Sequence, residues 1–242
     1  MQKVELINRE VSYAVREEIK YLRAGLQFAG TDKKVLLFTS ALAGEGKTTI
    51  SILLAKSLTD LGKKVLLIDS DMRRSHMKNE LADKHAAKLG LSHFLSGQCS
   101  LSDALIATDN DNLFMLIAGP IPPNPAELLS NASMNKLIEW GKREFDYVII
   151  DSAPIGTVAD AAILTSFCDG SIMVLEAGKI PYKMAQDVKQ QLEISGCPIL
   201  GVILNKIDVR SGKKYYNRYY YKKYAGEYGG EYEAAEKRAK KK

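Results

Sequence analysis

The 242 residues predict an α/β fold: a parallel sheet with helices on both faces. Three observations carry this. Short runs rich in Val, Ile and Leu recur with helix-length segments between them, as expected of strands buried on both sides. One run is followed at once by a glycine-rich loop that opens a helical stretch. Two other runs end in aspartate, and in open α/β sheets ligands bind beyond the carboxyl ends of the strands.

Taken in order, Val11, Val15, Ile19, Leu22 and Leu26 recur at spacings of three and four, which predicts an amphipathic helix up to Phe28. The strand runs are Val35–Thr39, Val65–Asp69, Leu113–Ala118, Tyr147–Asp151, Ile172–Glu176 and Ile199–Asn205. Residues 75–112 are more polar, and cap-like serines such as Ser92 and Ser102 predict short helices across one sheet edge. Regular patterning stops after Asp208. The expected organisation is an N-terminal helix region (1–30), a phosphate-loop domain (31–208) and a flexible tyrosine-rich tail (209–242), since two full domains would each have a marginal core.

Charge separates body from tail. From Val209 onward eleven Lys and Arg face four Asp and Glu, a net +7, so the whole chain's +5 leaves −2 for residues 1–208. The folded part offers no basic stripe, which argues against nucleic acid as a partner. Cys99, Cys168 and Cys197 form no CxxC pair, and neither they nor His76, His85 and His93 have metal-ligand spacing. With no run of about 18 apolar residues and no secretory leader, the sequence predicts an intracellular protein.

The loop Ala41-Leu-Ala-Gly-Glu-Gly-Lys47-Thr48 has the chemistry of a phosphate cradle. Gly44 and Gly46 let backbone N–H groups turn toward phosphate oxygens, the helix N-terminus adds partial positive charge, and Lys47 adds a full one. Thr48 is placed to ligate Mg²⁺. Glu45 and Thr49 complete the expected nucleotide-contacting set, with Ala41 standing where the general pattern has its first glycine. Asp69 and Asp71, in LLIDSDMRR, and Asp151, in YVIIDSAP, should converge on metal and terminal phosphate. Phosphoryl transfer needs a metal there and a carboxylate to receive the acceptor's proton. The stretch Asn205-Lys206-Ile207-Asp208 reads N-K-x-D, the spacing with which many GTPases recognise guanine; a plain polar turn is the competing reading.

With these motifs on the page, the chain resembles the bacterial tyrosine kinases of capsular and exopolysaccharide assembly. AGEGKTT, LLIDSDMRR, YVIIDSAP and the terminal tyrosines carry the resemblance over nearly the whole length, supported by Pro123–Leu129. The resemblance implies a P-loop fold, ATP and Mg²⁺ as cofactors, and Lys47, Asp69 and Asp71 as catalytic, with either aspartate as base. It assigns Thr48, Asp71 and Asp151 to the metal, and puts Asn205 near the base, favouring adenine. Glu17-x-x-Lys20-x-x-Arg23 resembles a motif for ring-shaped self-assembly, with Lys20 where arginine is common, a change that loses a bidentate fork. Without membrane helices, the chain looks like the split form of the family: cytoplasmic, held at the inner face of the membrane by the cytoplasmic tail of an activating polysaccharide co-polymerase, and opposed by a tyrosine phosphatase. The competing relatives are partition and positioning ATPases, whose loops carry a signature lysine at the position of Leu42.

Eight of the twelve tyrosines lie in the tail: Tyr215, Tyr216, Tyr219, Tyr220, Tyr221, Tyr224, Tyr228 and Tyr232. They are the expected phosphoacceptors, in trans on a neighbouring subunit or in cis. Extended, residues 209–215 span roughly 20 Å, enough to bring them to an active site. Each phosphate would add about −1.5 to −2 charges and progressively reverse the tail's sign.

Overall fold

The structure, a computed structural model, describes residues 2–7, 10–85 and 87–207. Asp208 and the tail with its tyrosines lie outside the described residues. The strands are β1 Gln2–Val4, β2 Val35–Ser40, β3 Val65–Asp69, β4 Ile106–Thr108, β5 Leu113–Leu116, β6 Tyr147–Asp151, β7 Gly170–Glu176 and β8 Ile199–Asn205. The helices are α1 Tyr13–Phe28, α2 Lys47–Thr59, α3 Leu91–Leu95, α4 Leu101–Ala104, α5 Pro125–Leu129, α6 Ala132–Glu144, α7 Asp160–Leu164 and α8 Tyr182–Ile194.

These strands form one sheet in the order β1-β4-β5-β3-β6-β2-β7-β8. Its centre reads directly from the sequence: Val35–Phe38, Val65–Ile68 and Val148–Ile150 have no exposed surface, because helices cover both faces. Alternate residues serve opposite layers. Leu36, Phe38, Ile172 and Val174 pack toward α1 and α2, whereas Val35, Leu37, Leu66 and Val148 pack toward α6 and its neighbours. Met173 and Leu175 meet Val188 and Leu192 of α8.

Two strands depart from the expectation. β1 and β4 have three residues each and pair in parallel at the sheet edge, too short to show a pattern of their own. β4 also runs antiparallel to β5, so the sheet is mixed rather than wholly parallel. The reason is local. Only four residues separate β4 from β5, which a parallel crossover cannot bridge, and Thr108 Oγ1 ties the turn by accepting from Asn110 N–H and donating to the Leu113 carbonyl.

The first helix begins at Tyr13 rather than Val11, because Ser12 caps it by accepting from the Val15 N–H. Its apolar stripe, Ile19, Leu22 and Leu26, joins the core beside α2.

Candidate nucleotide and phosphoryl-transfer site

The loop between β2 and α2 sits at the carboxyl edge of a central strand. β2 is flanked by β6 on one side and β7 on the other, and β6 by β3. Register then does the chemistry's work: Phe38 stands opposite Asp151, and Asp151 opposite Asp69, so both carboxylates flank the loop.

Gly44 and Gly46 have φ of 82° and 95°, the left-handed region in which glycine costs least. Gly46 is the N-cap of α2 and makes no side-chain cap bond, so the helix's first N–H groups remain open to an anion. Gly156 lets the segment after β6 approach, since a Cβ there would fall 2.5 Å from the Ala41 carbonyl oxygen. Lys47 is almost completely buried, and its Nζ donates to Ser40 Oγ at 3.0 Å. The hydroxyl of Thr48 donates to Asp151 Oδ2 at 2.5 Å.

The acidic residues occupy two environments. Asp151 and Asp69 are 2 % and 1 % exposed. Burial lifts the Asp151 carboxyl to about 6, against the opposing pull of the Thr48 hydroxyl and the Lys47 charge. Burial also lifts Asp69, to about 8, with the charge of Asp151 as the next cause. Asp151 ionises first, and its charge then holds the proton on Asp69. Asp69 accepts from Ser75 Oγ at 2.5 Å and from the Asp71 N–H at 3.2 Å. Asp71 is half-buried at the mouth, where its Oδ1 accepts the N–H groups of Arg73 and Arg74.

The donor set suits a small hard cation. Asp151 Oδ1 is buried with no hydrogen-bond partner, beside the Thr48 hydroxyl. Among the described residues no three His, Cys, Asp or Glu side chains cluster as a complete metal site. Mg²⁺ does not need one, because it binds through one or two carboxylates together with the substrate's phosphates and water.

Other expected residues sit less directly. The Glu45 carboxylate is fully buried and turned inward, accepting the N–H groups of Leu42 at 2.7 Å and Glu176 at 2.8 Å, so only its backbone can face a nucleotide. Asn205 donates its amide to the Glu45 carbonyl at 2.8 Å. Thr49 lies in the first turn of α2. Arg23 donates to the Ser57 carbonyl of α2, and Lys20 pairs with Glu17 on the exposed side of α1. Arg73 forms a bidentate pair with the fully buried Asp160, at 2.8 and 3.0 Å. No spacing in the sequence signalled Ser40, Ser75 or Asp160, because each meets its partner only through the sheet.

This edge defines the class: a P-loop nucleoside-triphosphate-binding domain. Residues 33–188 match a family described as "AAA domain". The chain is 42% identical over 210 residues to "Tyrosine-protein kinase CpsD" of Streptococcus agalactiae, an alignment covering 86% of this chain and 91% of that one. Among solved structures it is similar to the kinase domain of Escherichia coli tyrosine kinase ETK, with a TM-score of 0.77, 28% identity, and coverage of 88% of this chain and 92% of that one. The septum site-determining protein MinD of Pyrococcus horikoshii, complexed with Mg-ADP, has a TM-score of 0.59 at 24% identity and covers 71% and 69%, a likeness of fold alone. The chain belongs to the bacterial tyrosine-protein kinases, and it uses ATP. The positioning-ATPase alternative is the weaker reading beside these kinase relatives. No helix of the described residues is long and apolar enough to cross a membrane.

Proposed function

We propose that this kinase transfers the γ-phosphate of ATP to the tyrosines of its own tail, Tyr215 through Tyr232, between subunits. The meeting of Lys47, Thr48, Asp151 and Asp69 at one sheet edge, with Asp151 Oδ1 left unpartnered, is the observation that carries the reading. Lys47 and the open N–H groups at the start of α2 bind and orient the phosphates. Thr48 and Asp151, with Asp71 nearby, would hold Mg²⁺, which would neutralise the charge that develops on the transferring group. Asp69 is buried and committed to Ser75, whereas Asp71 stands half-exposed at the mouth. That contrast favours Asp71 as the group that accepts the tyrosine hydroxyl's proton and Asp69 as the group that positions it.

The family resemblance supports regulation of capsular or extracellular polysaccharide synthesis, activation by the cytoplasmic tail of a membrane co-polymerase at the inner membrane face, and reversal by a tyrosine phosphatase. Assembly into a homo-oligomer through Glu17 and Lys20 is favoured by the exposure of Lys20 on α1, with Glu17 half-buried beside it. Arg23 would have to serve that contact while bonded to Ser57.

Radiolabelled ATP followed by phosphoamino-acid analysis tests the transfer. Phosphotyrosine is expected, and free phosphate without it would return the protein to the switch ATPases. Mixing a Lys47→Met chain with a tail-truncated active chain tests the route, and an unlabelled Lys47→Met tail would exclude transfer between subunits.

A further inference from the structure

Lys206 breaks two local habits at once. It is the one non-glycine residue with positive φ among the described residues, at 55°. Its ammonium group also turns back onto the protein, donating to the Gly44 carbonyl at 2.6 Å and to Glu176 Oε2 at 3.0 Å. The neighbouring Asn205 takes the next carbonyl of the same loop, that of Glu45. Two consecutive side chains at the end of β8 therefore hold two consecutive carbonyls of the phosphate loop.

Peptide geometry gives this grip a direction. In a trans peptide the C=O and N–H point to opposite sides. Holding the Gly44 carbonyl outward aims the Glu45 N–H inward, and holding the Glu45 carbonyl outward does the same for Gly46. Backbone N–H groups of such a loop are what cradle the phosphates. The ring closes through Glu176 at the end of β7, whose N–H donates to Glu45 Oε1 while its carboxylate receives Lys206. Lys179 and Lys206 together hold that carboxyl below its ordinary range.

We propose that Lys206 is a positioning residue for ATP binding: with Glu176 as its counter-charge, it fixes the peptide planes of the phosphate loop so that their N–H groups face the phosphates. The proposal rests on the nucleotide-site reading above.

The test separates ammonium from backbone. Lys206→Gly keeps the left-handed turn at lower cost and removes the donor, whereas Lys206→Met keeps the stem and removes the charge. In the full chain, both variants are expected to weaken ATP binding, measured by calorimetry with Mg²⁺, by about tenfold, the scale of one charge-assisted hydrogen bond. KM for ATP should rise in parallel while kcat changes by less than about threefold, and Lys206→Arg should recover most of the loss. Thermal melts of Lys206→Gly should match the parent, showing that the loss is not unfolding. Wild-type affinity in Lys206→Gly would overturn the proposal, whatever Lys206→Met does, because only the turn would then matter. An equal fall in kcat with unchanged KM would overturn it too. If the parent binds ATP but makes no phosphotyrosine even with the activating co-polymerase tail added, the kinase reading fails while the binding comparison still judges Lys206.

Discussion

Replacing Asp69 by Asn should abolish phosphotyrosine formation and, in the same molecule, make the nucleotide-free protein more stable. Asp69 is held up to about 8 by burial and by the charge of Asp151, while an unfolded aspartate titrates near 3.9. A carboxyl raised on folding contributes full stability below its unfolded value and loses it as pH climbs toward its folded value. At pH 7 the folded chain retains a proton that the unfolded chain releases across about three pH units, at about 1.36 kcal/mol per unit. The forfeited stability is therefore up to about 4 kcal/mol. Asparagine never ionises and forfeits none. It also keeps both contacts, its carbonyl accepting the Asp71 N–H and its amide donating to Ser75 Oγ. Urea unfolding in EDTA, followed through the single tryptophan, Trp140, reads the difference from pH 4 to 9. The variant's advantage should be near zero at pH 4, grow to pH 8 and then level off. An advantage independent of pH, or a loss throughout, would refute the reasoning.

Two further substitutions test the frame of the site. Gly46→Ala meets a φ of 95° and places its Cβ 2.2 Å from Asn205 Nδ2, so Asn205 must release the Glu45 carbonyl. Strain and the lost bond together predict about 2–3 kcal/mol and a melting temperature lower by roughly 5–10 °C, with Gly44→Ala, where φ is 82° but the space is open, showing only the strain part in the same melts. Arg73→Ala leaves Asp160 buried without its fork; because the Arg73 side chain is 41% exposed, the expected cost is about 1–2 kcal/mol in urea unfolding, with Arg73→Lys recovering part of it.

The sheet's centre was legible because buried parallel strands must be apolar throughout, and Val35–Phe38, Val65–Ile68 and Val148–Ile150 have no other role. The edge was not. Gln2–Val4 becomes a strand only by finding Ile106–Thr108 across about a hundred residues, and three-residue segments carry no period to read. The loop and its two aspartates were visible as motifs, since glycine, lysine and carboxylate declare their chemistry locally. What escaped was the scaffold behind them. Glu45 reads like a variable loop residue, yet it is buried and shapes the turn through Leu42 and Glu176. Lys206 reads as part of a base-recognition stretch, yet it bonds the loop's own backbone. Such roles depend on which strand ends become neighbours, and that is set by the order β6-β2-β7-β8 rather than by any local pattern.

Among the described residues β8 is an outermost strand, hydrogen-bonded to β7 alone. Native proteins open locally, in excursions far smaller than global unfolding, where buried contacts are few, and no residue of β8 is fully buried. Here fraying would carry Asn205 and Lys206 away from Gly44 and Glu45, so each excursion would momentarily dismantle the cradle. By mass action, bound nucleotide draws molecules out of the frayed population. The amides at the start of β8, at the far end from Asn205, should then exchange with solvent more slowly whenever the loop is filled, and the sheet's margin becomes a gauge of nucleotide occupancy.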